Sequence, residues 1–127
     1  MNKRVVKDRY SLYCADTVKT LKKLEEKSID MIFSDPPYFL SNDGITCSNG
    51  KMVSVNKGEW DKSNGLDNDI KFHKRWLKEC DRVLKDEGTI WISGTYHCIH
   101  QITYILLKLG YYIINEVTWY KPNAAPN

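Results

Sequence analysis

The sequence holds no apolar run close to the ~20 residues that span a bilayer. Nor does an apolar signal core follow Met1-Asn2-Lys3-Arg4. A cytoplasmic protein with no membrane partner is therefore expected. The four cysteines (Cys14, Cys47, Cys80, Cys98) form no CxxC pair. That argues against a zinc ribbon or a secreted disulfide frame, and reduced thiols follow as the default. His73, His97 and His100 have no ligand spacing, so no metal site is expected. Glycines stand at 44, 50, 58, 65, 88, 94 and 110, and no two are separated by a single residue. A phosphate-cradling glycine loop is thus missing, which disfavours a generic nucleotide-binding domain. Charge of one sign is lacking too: 19 Lys and Arg face 16 Asp and Glu, a net of +3. That balance permits an anionic partner without requiring one. No internal repeat is visible.

What is present is enough for one modest core: 127 residues, 42% hydrophobic. Tyr10 to Ala15 reads as a strand closed by Asp16. A helix follows over about 17–26, with Val18, Leu21 and Leu24 spaced by three and Asp16 in N-cap position. Ile29–Ser34 is the next strand, stopped by Pro36 and Pro37. Residues 39–70 are rich in Asn, Ser and Gly and read as one long loop, of the kind that is functional or disordered. Its lysines (51, 57, 62) are offset by Asp43, Glu59 and Asp61. A helix over about 70–85 follows, then a turn at Gly88, a strand at Thr89–Ser93, a helix over about 96–109 and a strand at 111–120. The order β-α-β-loop-α-β-α-β describes an open α/β sheet, mostly parallel, with helices on both faces.

Ligands of such sheets bind at the carboxyl ends of the strands. Asp16, Asp35-Pro36-Pro37-Tyr38 and Ser93-Gly94 all fall at such ends. The tetrapeptide has a definite chemical capability. Residues next to proline are stiff and extended, the Asp35 carboxylate accepts hydrogen bonds, and the Pro36 carbonyl has no helix or sheet partner to satisfy it. Tyr38 offers a flat face for a base. Two rigid acceptors beside an aromatic plate suit an exocyclic amino group on a planar base. The nitrogen would donate one hydrogen to each acceptor and turn its lone pair toward an electrophile. A plain strand-ending turn is the competing reading. A given four-residue word arises by chance in roughly one chain of this size in a thousand, and its place at a strand end makes coincidence less frequent still.

The run from Ile29 to Tyr38 resembles the Asp-Pro-Pro-Tyr motif of β-class amino-methylating DNA methyltransferases, which use S-adenosylmethionine. The resemblance covers most of the chain. Leu12–Asp16 is similar to the strand and Asp that precede that motif. Trp76, Glu79, Arg82–Lys85 and Gly88–Gly94 are similar to the helix and strand that follow it. Trp119-Tyr120-Lys121-Pro122-Asn123 is similar to the family's Trp-x-Lys-x-Asn, and residues 53–62 look like a branch of adenine-N6 enzymes from restriction-modification systems.

The resemblance implies an incomplete Rossmann-like methyltransferase sheet. Asp35, Pro36, Pro37 and Tyr38 would be catalytic, with Asp35 and the Pro36 carbonyl holding the N6 amino group and Tyr38 stacking on an adenine flipped out of DNA. Asp16, Asp35, Ser93 and Gly94 would contact S-adenosylmethionine. Tyr38, Trp119 and Lys121 would shape the base pocket. Trp60 reads as a loop-packing residue, with stacking on DNA as its alternative. None of the cysteines follows a proline, so the Pro-Cys nucleophile of cytosine-C5 methylases is missing. The family's Phe-x-Gly-x-Gly cofactor turn and its target-recognition region are also absent. Residues 1–127 therefore read as the N-terminal part of a catalytic domain, to which a second chain would supply the remaining half. Alternatives that stay open are a cytosine-N4 methyltransferase and a non-catalytic DNA-binding remnant.

Overall fold

The structure is a computed structural model that describes residues 3–41, 45–48, 51–54 and 56–120. Its centre is a parallel strand pair, β3 (Ile29–Ser34) and β6 (Leu84–Ile92), which the sequence places on either side of a helix. Before it come an antiparallel hairpin of β1 (Lys3–Lys7) and β2 (Tyr10–Cys14) and a short helix, α1 (Thr17–Leu21). Between β3 and β6 lie a second hairpin, β4 (Ile45–Ser48) with β5 (Lys51–Ser54), a 3-10 turn at Glu59–Asp61, and α2 (Leu66–Val83). Helix α3 (Ile99–Lys108) follows β6.

Parallel pairing sets Met31 beside Thr89, Ile32 beside Ile90, Phe33 beside Trp91 and Ser34 beside Ile92. Strand side chains alternate between faces, and the alternation is visible in burial. Ile32, Ile90 and Ile92 pack on a core built from Trp76, Leu77 and Cys80 of α2 with Cys98, Ile102, Ile105 and Leu106 at α3. Val18 and Leu21 of α1 join the same cluster. Met31, Phe33 and Trp91 point the other way and are exposed, Phe33 to 69%. The three described helices thus cover one face of the sheet, not both. In place of one larger sheet, the described strands form three separate two-stranded sheets, the central pair parallel and the two hairpins antiparallel. No helix among the described residues is long and apolar enough to cross a membrane.

Several element boundaries differ from expectation for identifiable reasons. Helix α1 stops at Leu21, because bonds from Lys23 N to Thr20 O and from Leu24 N to Leu21 O tighten the chain into a turn. Helix α2 starts at Leu66 instead of about 70. The Asp69 carboxylate reaches back to Ser63 Oγ (2.6 Å) and Asn64 N (3.2 Å), so the Ser-Asn-Gly stretch is a helix entrance. Gly88 does not end the helix; α2 passes directly into β6 at Leu84. A Cβ at Gly88 would lie 2.7 Å from Leu84 Cγ and 3.0 Å from the Asp30 carbonyl, so close packing against β3 requires glycine there. Gly110, with φ of +90°, does end α3 as expected. The strand expected at 111–120 is not formed. Those residues meet no neighbouring strand, and Tyr112, Ile114, Val117 and Trp119 are exposed. The 39–70 loop contains the β4–β5 hairpin, a pairing that its polar sequence does not announce.

Arg82 ties the helices together. Its Nη2 donates to Leu21 O (2.8 Å), its Nη1 to Leu24 O (3.1 Å) and its Nε to Glu79 Oε2 (2.9 Å). The guanidinium thereby gives the carbonyls of Leu21 and Leu24, at and just beyond the end of α1, a donor from α2. Arg82→Ala should lower unfolding free energy by about 1–3 kcal/mol, and Arg82→Lys should recover less than half, because an ammonium cannot span both carbonyls. Urea titration at neutral pH checks both.

His73 is fully buried and accepts a hydrogen bond from Trp76 Nε1 at its Nδ1 (3.2 Å). Burial lowers its pKa from 6.5 to about 4, only partly opposed by Asp69. Between these values the unfolded chain binds a proton that the folded chain refuses, so stability rises with pH across the window. Unfolding free energy should therefore fall steadily as pH drops from 6.5 toward 4. In His73→Phe that slope should flatten; an unchanged slope in denaturant titrations would contradict the assignment.

Candidate active site

The parallel register creates the site. Ser34 faces Ile92, so the next residue of each strand, Asp35 and Ser93, are neighbours where the chain leaves the sheet. Ser93 N donates to Ser34 O (2.9 Å), extending the ladder by one bond. Ser93 Oγ lies 2.6 Å from Asp35 Oδ1. Tyr38 Oη donates to the same oxygen and lies 2.9 Å from Ser93 Oγ. Each hydroxyl has one hydrogen and the carboxylate is the strongest acceptor, so both donate to Oδ1.

This arrangement divides the labour of the Asp35 carboxylate. Oδ1 is held by two hydroxyls, while Oδ2 receives no hydrogen bond among the described residues. The Ser93 bond first, then the Tyr38 bond and the nearby Lys57 charge, hold the Asp35 pKa below 3.8. Burial first, then the bond to Asp35, raises the Tyr38 pKa above 10. Asp35 is therefore a fixed anion and Tyr38 a fixed neutral phenol at neutral pH. The Pro36 carbonyl accepts no hydrogen bond among the described residues. A cleft of about 100 Å³ opens beside these groups, lined by Asp35, Pro36, Pro37, Tyr38, Lys57, Trp60 and Asp61. Lys57 Nζ lies 5.9 Å from the Tyr38 ring centroid, within cation–π range.

The other predicted residues are placed as follows. Asp16 caps α1, its Oδ1 accepting from Lys19 N (2.8 Å), and its Oδ2 is left free among the described residues. A second cleft, of about 130 Å³, lies beside it between Tyr13, Ala15, Thr17, Thr20 and Leu21. Ser93 is joined to Asp35, and Gly94 packs close under Ile99, 3.0 Å from a notional Cβ. Trp119 is 83% exposed in the irregular 111–120 segment and does not line the Asp35 cleft. Lys121 lies outside the described residues. Sequence reasoning missed Lys57 and Asp61 as cleft residues; the available signal was only their position in an unusually long loop. Trp60 also lines the cleft, with its indole 63% exposed.

Among the described residues, no group of three or more His, Cys, Asp or Glu is placed to hold a metal ion. Asp16 and Asp35 each keep one carboxylate oxygen free among the described residues, and each follows the carboxyl end of a strand beside its own cleft.

The chain is similar in sequence to known proteins. A family model described as DNA methylase matches residues 29–127. Type II methyltransferase M2.DpnII of Streptococcus pneumoniae is 46% identical over 121 residues, 95% of this chain and 45% of the relative. Type II methyltransferase M2.MboI of Moraxella bovis is 45% identical over 118 residues, 93% of this chain and 43% of the relative. Type II methyltransferase M.HinfI of Haemophilus influenzae is 42% identical over 113 residues, 88% of this chain and 32% of the relative. The chain spans less than half the length of these relatives.

If Ser93 is the main stabiliser of the Asp35 anion, Ser93→Ala should move the Asp35 midpoint upward toward 3.8. Carboxyl-carbon NMR titration reads this directly. A wild-type midpoint above 3.8, or one that does not move in Ser93→Ala, would contradict the hydrogen-bond assignment.

Proposed function

This chain belongs to the DNA methylase family, and from that premise we propose that it carries the base-binding half of a DNA adenine-N6 methyltransferase. The methyl donor of the family, S-adenosylmethionine, supplies an electrophilic methyl group when bound. By this reading Asp16 holds that donor through its free carboxylate oxygen, with Ser93 and Gly94 also facing it, while the free oxygen of Asp35 is kept for the target base. The restriction-modification setting is proposed from the relatives, which are named as Type II methyltransferases.

Asp35 carries the chemistry. An amino nitrogen in the cleft donates one hydrogen to Asp35 Oδ2 and one to the Pro36 carbonyl. Its lone pair is then directed away from the ring and toward the methyl group. As the nitrogen–carbon bond forms, the sulfur–methyl bond would break and leave a neutral thioether; positive charge passes to nitrogen, and the fixed Asp35 anion stabilises it without having to reorient. The methylated nitrogen then loses one proton, and Asp35 Oδ2 is the first acceptor along that hydrogen bond. Tyr38 supports the plane of the base. A base inside a duplex cannot reach this cleft, so it must be extruded, at a cost of a few kcal/mol. Lys57, now over the Tyr38 ring, would have to shift as the base stacks.

The observation that supports this reading best is the half-satisfied carboxylate: one oxygen of Asp35 anchored, the other open to the cleft. Cytosine-N4 transfer uses the same two acceptors and is the second reading. In the relatives, more than half of the polypeptide lies outside the matched region. The reading therefore places the target-recognition elements and the glycine-rich turn outside these 127 residues, on the same or a second polypeptide.

The test is a labelled-methyl assay with S-adenosylmethionine and DNA on the full-length native protein, followed by nucleoside analysis. N6-methyladenine is expected, and Asp35→Ala should reduce the rate by about 10²-fold or more. N4-methylcytosine as the product would replace adenine by cytosine. Undiminished transfer by Asp35→Ala would refute the site itself.

A further inference from the structure

Asp61 is 1% exposed, yet it lines the cleft. Its carboxylate is not directed at the cleft contents. Oδ1 accepts from the backbone N–H of Tyr38 (3.1 Å) and of Phe39 (3.0 Å), and Oδ2 accepts from Ser41 Oγ (3.0 Å). The backbone doubles the link: Ser41 N donates to the Asp61 carbonyl (3.2 Å), and Lys57 N donates to Ser41 Oγ (2.8 Å). One carboxylate thus gathers three donors from the four residues that follow the second proline. All lie twenty or more positions away in sequence.

The segment it grips needs a grip. Phe39 has φ of +57°, a left-handed backbone that a phenylalanine rarely adopts. Its ring packs edge-on against Phe72 and His73 of α2, with centroids 5.6 and 5.2 Å apart. Tyr38 is the next residue back, and its hydroxyl is one of the two groups anchoring Asp35. If the turn relaxed, the Tyr38 ring would swing and Asp35 would lose a hydroxyl partner.

We infer that Asp61 is a positioning residue for methyl transfer: it touches no substrate but fixes the turn that aims Tyr38 and, through it, Asp35. This rests on the methyl-transfer reading above. A carboxylate suits the role because a single oxygen can accept from two adjacent N–H groups while the other takes a hydroxyl. Asparagine keeps the accepting oxygen and can donate its amide hydrogen to Ser41 Oγ, so it preserves the geometry without the charge. Alanine takes the acceptor away from two part-buried N–H groups and from the Ser41 hydroxyl.

The experiment is steady-state methyl transfer to duplex DNA by the full-length native protein, comparing Asp61→Ala, Asp61→Asn, Ser41→Ala and Arg82→Ala. The last is destabilised away from the cleft and controls for stability. Asp61→Ala should lower kcat by about ten- to a hundredfold, the scale of a misplaced reacting group, with KM for S-adenosylmethionine changed less than about twofold. Asp61→Asn should recover most of the loss, and Ser41→Ala should lose a few-fold. Wild-type kcat in Asp61→Ala, or a loss no larger than that of Arg82→Ala at the same margin below its melting temperature, would overturn the inference. Should Asp61→Ala fail to fold, unchanged kcat in Ser41→Ala overturns it instead. If the wild-type protein itself transfers no methyl to DNA, the functional reading fails, not the clamp. The clamp is then tested by amide hydrogen exchange at Tyr38 and Phe39, where acceleration below about threefold in Asp61→Ala, or in Ser41→Ala should the former fail to fold, would count against it.

Discussion

Two hydroxyls on one oxygen of one carboxylate organise this molecule. Asp35 Oδ1 is held by Ser93 and Tyr38, and that pair of bonds exists only because β3 and β6 run parallel in one register. Slipping either strand by a residue would move Ser93 to the other side of its strand and turn Ile32, Ile90 or Ile92 away from the core. Core packing and site geometry are therefore set by the same alignment. The apolar alternation that buries three isoleucines is also what brings a serine beside an aspartate at the sheet edge.

Around that contact the chain is built from one side. The helices α1, α2 and α3 share a single apolar cluster, and Arg82 joins the end of α1 to α2. The opposite face, with Met31, Phe33 and Trp91, faces solvent among the described residues. The site stands at the rim between the two faces, supported from below by the core and from the side by the Lys57–Asp61 segment. Such a rim suits chemistry that needs a rigid acceptor beside an open approach for a large substrate.

Much of this was legible in the residues. The apolar run within Ile29–Ser34 and its termination by two prolines marked β3 and placed Asp35 at its carboxyl end. The three-four spacing of Trp76, Leu77, Cys80 and Val83 marked α2. The resemblance to amino-methylating enzymes rested on the same tetrapeptide that the structure sets in a cleft. What was hidden follows a physical rule. Strand β1 is basic and short and becomes a strand only by pairing with β2. Tyr111–Tyr120 has strand composition but pairs with no strand among the described residues, so composition misled there. The expectation of helices on both faces assumed a closed sandwich, whereas packing is known only once the helices are placed. Asp61 was invisible as a clamp because its partners are backbone N–H groups, which every residue offers, at a separation that no periodicity encodes.

The central claim is that Asp35 acts with its two oxygens in different roles. The most direct measurement is a crystal structure of the full-length native protein with a duplex containing its target base and an unreactive donor analogue. The account predicts an exocyclic amino nitrogen about 2.7–3.2 Å from Asp35 Oδ2, with Oδ1 still on Ser93 and the base plane against Tyr38. A target base bound elsewhere, or an Asp35 whose two oxygens both face protein groups, would contradict it.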